Sequence, residues 1–410
     1  MKCRHCNAEL KHIFVDLVNC PPSNDMLKKE QLNEPEPFYP LKIFVCDNCF
    51  LVQVDEMKKA EKIFDSEYTY FSSYSTSWLA HAKKYVDMMM SRFGFDENSL
   101  VIEIASNDGY LLQYFREYNV PVLGVDPTAN TAAVAIEKGI DTIIDFFGAG
   151  FAQKQLLDKG IKADLILGNN VLAHVPDIND FVKGMKLALK NNGIITMEFP
   201  HLMKLIEECQ FDTIYHEHFS YLSFTVVKRI FEHRGLQMFH VEELPTHGGS
   251  LRIFAKHKED KTKDISGNVT NLLKREEAAK MNTLEYYGNF QERVDKIKYN
   301  VWEFLIKARR EGKKVIGYGA AAKGNTLLNY CGIKGNDLIQ YAVDASPHKQ
   351  NKYLPASHIP VKSPDSIKEY KPDYVIILPW NLKNEISEQL SYVRDWGGKF
   401  ITFIPEINIL

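Results

Sequence analysis

The sequence predicts an α/β protein in three parts: a small cysteine-rich N-terminal domain, a central doubly wound domain, and a smaller Rossmann-like α/β domain at the C-terminus. Three observations carry this reading. Strand and helix patterns alternate from Leu100 to Glu198 and again from Val315 to Ile404, as βαβ units do. Two C-x-x-C pairs, Cys3/Cys6 and Cys46/Cys49, precede the first alternation. A glycine-bearing strand-to-helix turn at Gly317 opens the second. The expected boundaries are 1–66 for the N-terminal domain, 67–256 for the central domain, 257–312 for a helical linker and 313–410 for the C-terminal domain.

With 410 residues the chain can build two or three sizeable cores. Lys+Arg 50 against Asp+Glu 53 gives a net charge of −3, which argues against a nucleic-acid surface spread over the protein. No apolar run is long enough to span a bilayer, and Met1-Lys2-Cys3-Arg4 lacks a signal-peptide core, so a soluble cytoplasmic protein is expected.

At the N-terminus, the C-x-x-C spacing lets both sulfurs of a pair reach one ion. Cys3, Cys6, Cys46 and Cys49 together are expected to hold Zn²⁺, and four thiolates leave no open position for water, so the role is structural. Cys20, Cys209 and Cys331 have no spacing partner and read as small buried apolar residues.

The central domain opens on Leu100-Val101-Ile102-Glu103-Ile104, a strand buried on both faces. Ala105-Ser106-Asn107-Asp108-Gly109 then make a tight turn of small residues, and Tyr110 to Arg116 reads as a helix. A second strand, Val122 to Val125, delivers Asp126 and Pro127 beside that turn, where a carboxylate could hold a ribose diol. The glycines that would touch a pyrophosphate are missing. S-adenosylmethionine, an adenosine with a zwitterionic methionine end, fits a site of this kind. Glu103, Ala105, Asn107, Gly109, Tyr110, Asp126 and Pro127 are its candidate contacts. On later strand ends, Asp145 would face the adenine amine, Phe146 its ring, and Asn169 with Asn170 the methionine end. Taken singly, each of these is equally a cap or turn residue.

The run from Tyr68 to Ser75, which contains Tyr70, reads either as a lid or as aromatic packing between domains. The densest titratable cluster is Tyr215-His216-Glu217-His218-Phe219-Ser220-Tyr221. Its histidines stand two apart, which excludes the H-E-x-x-H metal site. An extended segment would put Tyr215, Glu217 and Phe219 on one side and His216, His218 and Ser220 on the other. Thr246-His247-Gly248-Gly249-Ser250-Leu251-Arg252 reads either as amides and a guanidinium aimed at an anion or as a glycine hairpin turn. Asn282 to Arg310 is expected to form a long amphipathic helix bridging domains. Gly317-Tyr318-Gly319-Ala320-Ala321-Ala322-Lys323-Gly324-Asn325 matches the G-x-G-x-x-A variant of the dinucleotide fingerprint, with Asp344 as the acid after the next strand. Phosphate binding and close helix packing both explain it.

Assembled in order, these motifs resemble the three-domain C-methyltransferases that act on nucleotide-bound 4-keto-deoxysugars. The matching stretches are Cys3-x-x-Cys6, Pro22-Ser23-Asn24, Tyr39-Pro40-Leu41, Cys46-x-x-Cys49-x-Leu51-Val52-Gln53, Glu103 to Gly109, Tyr215 to His218, His247 to Arg252 and Gly317 to Asn325. The resemblance implies a zinc-containing, S-adenosylmethionine-dependent enzyme that methylates a carbon next to a ketone, C3, of a dTDP-type sugar through an enolate. It implies no nucleic-acid or membrane partner, and a monomer or small homo-oligomer. Tyr215, Glu217 and His218 would share the base and enolate-stabilising roles, and His174 would steady the C4 oxygen. His218 is preferred as base because its ordinary pKa of roughly 6.5 lies nearest working pH, with Tyr215 the rival. Tyr70, His247, Gly248, Ser250, Arg252, Lys323 and Asn325 would contact substrate. Two other classes compete: an NAD-dependent nucleotide-sugar oxidoreductase using the Gly317 fingerprint, and a zinc-containing RNA methyltransferase. A glycine-poor first site speaks against the former and near-neutral charge against the latter.

Overall fold

A computed structural model describes residues 1–64, 70–335 and 337–410. Tyr68, Thr69 and the expected 66/67 boundary lie outside the described residues. Three sheets organise the chain. Strands β1 (His12–Cys20), β2 (Tyr39–Val45) and β3 (Val52–Val54) form an antiparallel N-terminal sheet.

The central sheet contains β4 (Val101–Ile104), β5 (Val122–Val125), β6 (Thr142–Ile143), β7 (Ala163–Asn169) and β8 (Leu189–Pro200), all parallel. The short strand β9 (Ser220–Tyr221) leaves this domain and pairs with β3 in the N-terminal sheet, Val52 opposite Tyr221 and Gln53 opposite Ser220. The chain then returns as β10 (Leu236–Leu244) and β11 (Ser250–His257) to complete the order β10-β11-β8-β7-β4-β5-β6. Because β11 runs antiparallel to both neighbours, the sheet is mixed where the sequence suggests a wholly parallel one. The connection reverses at β4, so a crevice opens beyond its C-terminal end.

The third sheet has β12 (Val315–Tyr318), β13 (Ala342–Val343), β14 (Val361–Lys362), β15 (Tyr374–Ile377) and β16 (Lys399–Thr402) in parallel. An antiparallel β17 (Asn408–Ile409) closes its edge.

Helix ends follow their local chemistry. In α1 (Thr76–Phe93) the Ser75 hydroxyl accepts the Trp78 N–H at 3.2 Å, and Gly94, at φ 65°, ends the helix with its N–H on the Met90 carbonyl. Helix α2 (Leu112–Glu117) follows the first crevice loop. Helix α3 (Phe224–His233) is capped by Ser223 and, from α4 (Gly267–Ala278), by Glu276. The buried Glu276 carboxylate accepts the Phe224 N–H at 2.7 Å, the Thr225 N–H at 2.8 Å and the buried His201 Nε2 at 2.7 Å.

Helix α5 (Phe290–Arg310) is the predicted bridge, and it starts at Phe290 because Leu284–Tyr287 takes a 3₁₀ turn ahead of it. Its stripe of Phe290, Val294, Ile297, Val301, Leu305 and Ala308 is buried in a core that includes strands β1 to β3, Phe211, Phe219, Trp380 and the β12–β15 side. Phe14 of β1 stacks on Phe290 at 4.4 Å. The N-terminal domain therefore shares a core with both others. Helix α6 (Ala322–Tyr330) follows the Gly317 turn and joins the same core through Leu327 and Leu328. Among the described residues, no helix is long and apolar enough to cross a membrane.

Glu276→Ala would leave His201 and the first turn of α3 without their shared acceptor. We expect a loss of about 3–5 kcal/mol in urea unfolding, the usual cost of breaking a buried pair, with zinc content unchanged.

Candidate active site and metal centre

The two cysteine knuckles are built alike. In each, the fourth residue after the first cysteine adopts a left-handed conformation, Asn7 and Phe50 both at φ 62°, and returns its N–H to that cysteine's carbonyl, at 3.0 and 2.9 Å. The four sulfurs lie within 4.8 Å of one another, with Cys3–Cys49 and Cys6–Cys46 each at 3.5 Å. A zinc ion with arms of about 2.3 Å needs sulfur–sulfur edges of about 3.8 Å, so the cradle fits. Gln53 Nε2 donates to Cys3 Sγ at 3.2 Å, which favours a thiolate and ties the metal to β3. The site is not a free-standing staple: Cys3, Cys46, Cys49 and Leu51 pack in one core with Phe181, Val226 and Ile230 of the central domain.

At the crevice, the loop after β4 is tightly wound. Ala105 and Asn107 take φ 58° and 49°. Gly109, at φ 74°, holds a left-handed conformation that side-chain-bearing residues rarely adopt, and a Cβ there would press on the tip of Ile140 at 2.4 Å. Glu103 is fully buried, both its oxygens lack a hydrogen-bond partner, and burial pushes its carboxyl well above the usual range. Ser106 Oγ and Asp108 Oδ1 are buried and unpartnered beside it. A loop lined by orphaned polar atoms in front of a switch point suits a polar ligand such as S-adenosylmethionine.

Asp126 turns its carboxylate into this loop, accepting the Asn107 N–H at 2.8 Å and the Thr128 N–H at 2.9 Å, with Pro127 half-buried next to it. Asp145 and Phe146 stand exposed on the outer lip beyond β6. Asn169 donates to the Tyr110 hydroxyl at 3.2 Å, and Asn170, at φ 55°, meets His247 Nε2 at 2.8 Å. A strap crosses the loop: Asn107 bonds the Tyr70 carbonyl at 3.1 Å and the Ser72 N–H at 2.9 Å. Phe71 stacks on His348 of the C-terminal domain at 5.6 Å. The strap thus covers the loop and packs between domains at once.

The Tyr215–His218 segment is a turn rather than extended chain. The His218 N–H meets the Tyr215 carbonyl at 3.0 Å and brings the two rings to 4.0 Å, so residues expected on opposite sides lie together. His216 and Glu217 point elsewhere, His216 Nε2 to the Pro40 carbonyl at 3.2 Å and Glu217 to Asn24, whose Nδ2 donates at 2.7 Å. His218 Nδ1 lies 2.9 Å from the Thr213 carbonyl, which can only accept. The proton therefore sits on Nδ1 and Nε2 carries the lone pair.

His174 lies edge-on to the His218 ring at 4.6 Å and donates Nδ1–H to the Glu217 carbonyl at 2.8 Å. Burial holds His218 well below the ordinary imidazole range, with His174 adding to it, and brings His174 down to about 4. The near-neutral base expected from sequence is thus shifted towards its neutral form. Burial also pushes Glu217 up to about 7.

The predicted anion knot is differently employed. Arg252 is buried and committed to two carboxylates, Glu198 at 2.9 Å and Glu242 at 3.1 Å. Glu198 also takes His81 Nε2 at 2.9 Å and Thr246 Oγ1 at 2.8 Å. Burial opposes the charge on Glu198, yet His81 and Arg252 together hold its carboxyl below the usual range. Ser250 Oγ bonds back to the Thr246 carbonyl at 2.9 Å. Gly248, at φ 87°, is a contact surface: a Cβ there would lie 2.4 Å from the Trp380 ring. Of this knot, His247 is turned to Asn170 and Trp78, whose ring lies 5.4 Å away.

Comparison with known proteins places these features in a family. The chain is 33% identical to C-methyltransferase NovU of Streptomyces niveus over 409 residues, covering 100% of this chain and 96% of the relative. It belongs to that C-methyltransferase family. Family models match in three consecutive blocks: a zinc binding domain over residues 3–64, a methyltransferase domain over 78–241 and a C-methyltransferase C-terminal domain over 245–405. A shorter match, 28% over 99 residues, joins 24% of the chain to 40% of the ubiquinone biosynthesis O-methyltransferase of Bartonella quintana. Among solved structures, the PH0226 protein of Pyrococcus horikoshii OT3 aligns with 46% of this chain and 95% of its own, at 16% identity and a TM-score of 0.38. The protein is an S-adenosylmethionine-dependent C-methyltransferase with a structural zinc.

In this C-methyltransferase the Gly317 fingerprint is used internally. The Asp344 carboxylate accepts the Ala320 N–H at 2.8 Å, and the Lys349 ammonium donates to the Ala320 carbonyl at 2.9 Å. A Cβ on Gly319 would lie 2.5 Å from Pro379 and one on Gly324 would lie 2.9 Å from Leu378, so the glycines serve close packing. Lys323 donates to Asn381 at 2.7 Å and lies 5.0 Å over the Trp380 ring, while Asn325 donates to the Ser23 carbonyl at 2.6 Å. Sequence reasoning missed His81, Asp212 and Trp380, which sit in helix, turn and loop contexts with no motif spacing. Asn24 was visible only as part of a matched stretch.

Cys46→Ser is expected to lose zinc by metal analysis and to loosen β1 to β3, leaving the central sheet folded by far-UV circular dichroism. Because β9 is the neighbour of β3, methyl transfer should fall with the metal.

Proposed function

We propose that this enzyme methylates C3 of a nucleotide-linked, dTDP-type 4-keto-deoxysugar through an enolate. The observation that supports it best is the His218 imidazole, with Nδ1 tied to Thr213, Nε2 without a hydrogen-bond partner among the described residues, and Tyr215 and His174 against its ring. A C4 ketone acidifies the C3 proton; Nε2 of a neutral His218 takes that proton, and hydroxyl or imidazole donors steady the oxygen as charge builds on it. Tyr215 and His174 are assigned that second role, with Glu217 fixing the turn through Asn24.

Bound S-adenosylmethionine supplies an electrophilic sulfonium methyl. Asp126 with Pro127 would hold its ribose side, Asp145 and Phe146 its adenine, and Glu103, Ala105, Asn107, Gly109, Tyr110, Asn169 and Asn170 the remainder. Tyr70, His247 and Lys323 line the sugar side in this reading. Gly248, Ser250, Arg252 and Asn325 shape the site through contacts with protein.

Two outcomes test this. His218→Asn should still bind both ligands yet lose methyl transfer by roughly a hundredfold or more. It should also stop exchanging the substrate's C3 hydrogen with deuterated solvent, whereas Tyr215→Phe should slow exchange without abolishing it. The reverse result would make Tyr215 the base, and no methyl gain on any nucleotide 4-keto sugar would reject the substrate class.

The second outcome is a pH profile. Since burial favours neutral His218, the acid limb of kcat/KM should lie below about pH 6.5, the ordinary imidazole pKa. A limb near pH 7 that disappears in Glu217→Gln would give the proton-accepting role to Glu217.

A further inference from the structure

The turn Phe211–Thr213 carries no residue of the sequence-predicted site, yet it supplies the carbonyl that decides which nitrogen of His218 is open. A free turn would hold that carbonyl poorly. This one is gripped from the C-terminal domain at successive residues. The Phe211 ring meets Tyr330 edge-on at 5.6 Å. Trp380 Nε1–H donates to Asp212 Oδ2 at 2.7 Å, a bond between two buried side chains 168 positions apart. Thr326 Oγ1 of α6 donates to the Ile214 carbonyl at 2.9 Å. Between these held residues, the Thr213 carbonyl faces His218.

Asp212 is the least replaceable part of this grip. It is fully buried, its Oδ1 has no hydrogen-bond partner, and burial pushes its carboxyl up to about 6, against the pull of the Lys323 ammonium. An acidic side chain in such a place is costly to bury unless it is hydrogen-bonded or paired, and the Trp380 N–H supplies that bond here. Trp380 is located in turn by Gly248, which has no Cβ to obstruct the ring, and by Lys323 above its face.

We propose that Asp212 is a positioning residue: through Trp380 it locks the Phe211–Thr213 turn so that the Thr213 carbonyl keeps His218 as its Nδ1–H tautomer with Nε2 open to the cleft. The C-terminal domain then acts on the reaction by orienting the imidazole of the central domain. The catalytic consequence rests on the reading of His218 as base, but the tautomer does not.

The test uses the full-length holoenzyme labelled with ¹⁵N-histidine. Long-range ¹H–¹⁵N spectra distinguish protonated from bare ring nitrogens, and His218 is assigned by its absence in His218→Asn. Wild type should show Nδ1–H with bare Nε2. Asp212→Ala and Trp380→Phe should both populate the second tautomer and lower kcat at least tenfold, a modest loss for a misplaced reacting group, with KM for S-adenosylmethionine within about twofold. Asp212→Asn keeps an oxygen for the Trp380 N–H and should recover most of kcat and the wild-type spectrum.

Trp380→Phe keeps the ring beside Gly248, so it remains informative where Asp212→Ala does not fold. An unchanged His218 tautomer in folded Asp212→Ala or Trp380→Phe would overturn the proposal, as would Asp212→Asn behaving like Asp212→Ala. A tautomer shift in Asp212→Ala alongside wild-type C3 exchange in His218→Asn would uphold the lock and remove His218 as base.

Discussion

Everything in this structure turns on how an irregular, buried piece of backbone is kept satisfied. The segment from Phe211 to Tyr221 has one 3₁₀ turn at Phe211–Thr213 and the two-residue β9 but is otherwise irregular, and buried N–H and C=O groups without partners are costly. Its partners come from all three domains. The Phe219 carbonyl and Ser220–Tyr221 are taken by β3, His216 finds the Pro40 carbonyl, and the Ile214 carbonyl takes the Thr326 hydroxyl. The segment is thus an edge strand for the N-terminal sheet and a docking turn for the C-terminal domain. Zinc enters the same account through Gln53, which touches Cys3 on one side and faces Ser220 on the other.

Burial then sets the electrostatics. Around the turn it favours uncharged groups: His174 and His218 are held down, and Glu217 is pushed up. Beyond β8 the balance is opposite, because Glu198 is surrounded by His81, Thr246 and Arg252. Buried pairs of that sort add little net stability. They do fix where α1, β8, β11 and the Thr246 turn stand relative to each other. Neutral imidazoles at the turn thus contrast with the buried, charged Glu198–Arg252 pair at β8 and β11.

Much of this was legible in the sequence. Period and spacing are local properties, so the strand-to-helix units, the cysteine knuckles and the α5 stripe could be read directly. Reading stops at open alternatives where a residue's role depends on a distant neighbour. Arg252 looks like an anion hook until Glu198 and Glu242 are found beside it. The Gly317 fingerprint has the right residues for phosphate, but only the structure shows Asp344 bonded to Ala320 and the glycines against Pro379 and Leu378. The Tyr215–His218 turn was misread as extended because its closing bond involves backbone, on which side-chain alternation is silent.

The bond between Trp380 and Asp212 bears on how the protein is made. Its ends are 168 residues apart, and the Asn325–Ser23 bond beside it spans 302. At a synthesis rate of about 5–20 residues per second, the turn waits roughly 10–30 seconds on the ribosome for its tryptophan. During that interval the Thr213 carbonyl is already present beside His218, but Asp212 in the same turn has no indole to hold it. A chain that stops short of residue 380 accordingly leaves the Asp212 carboxylate without its indole donor.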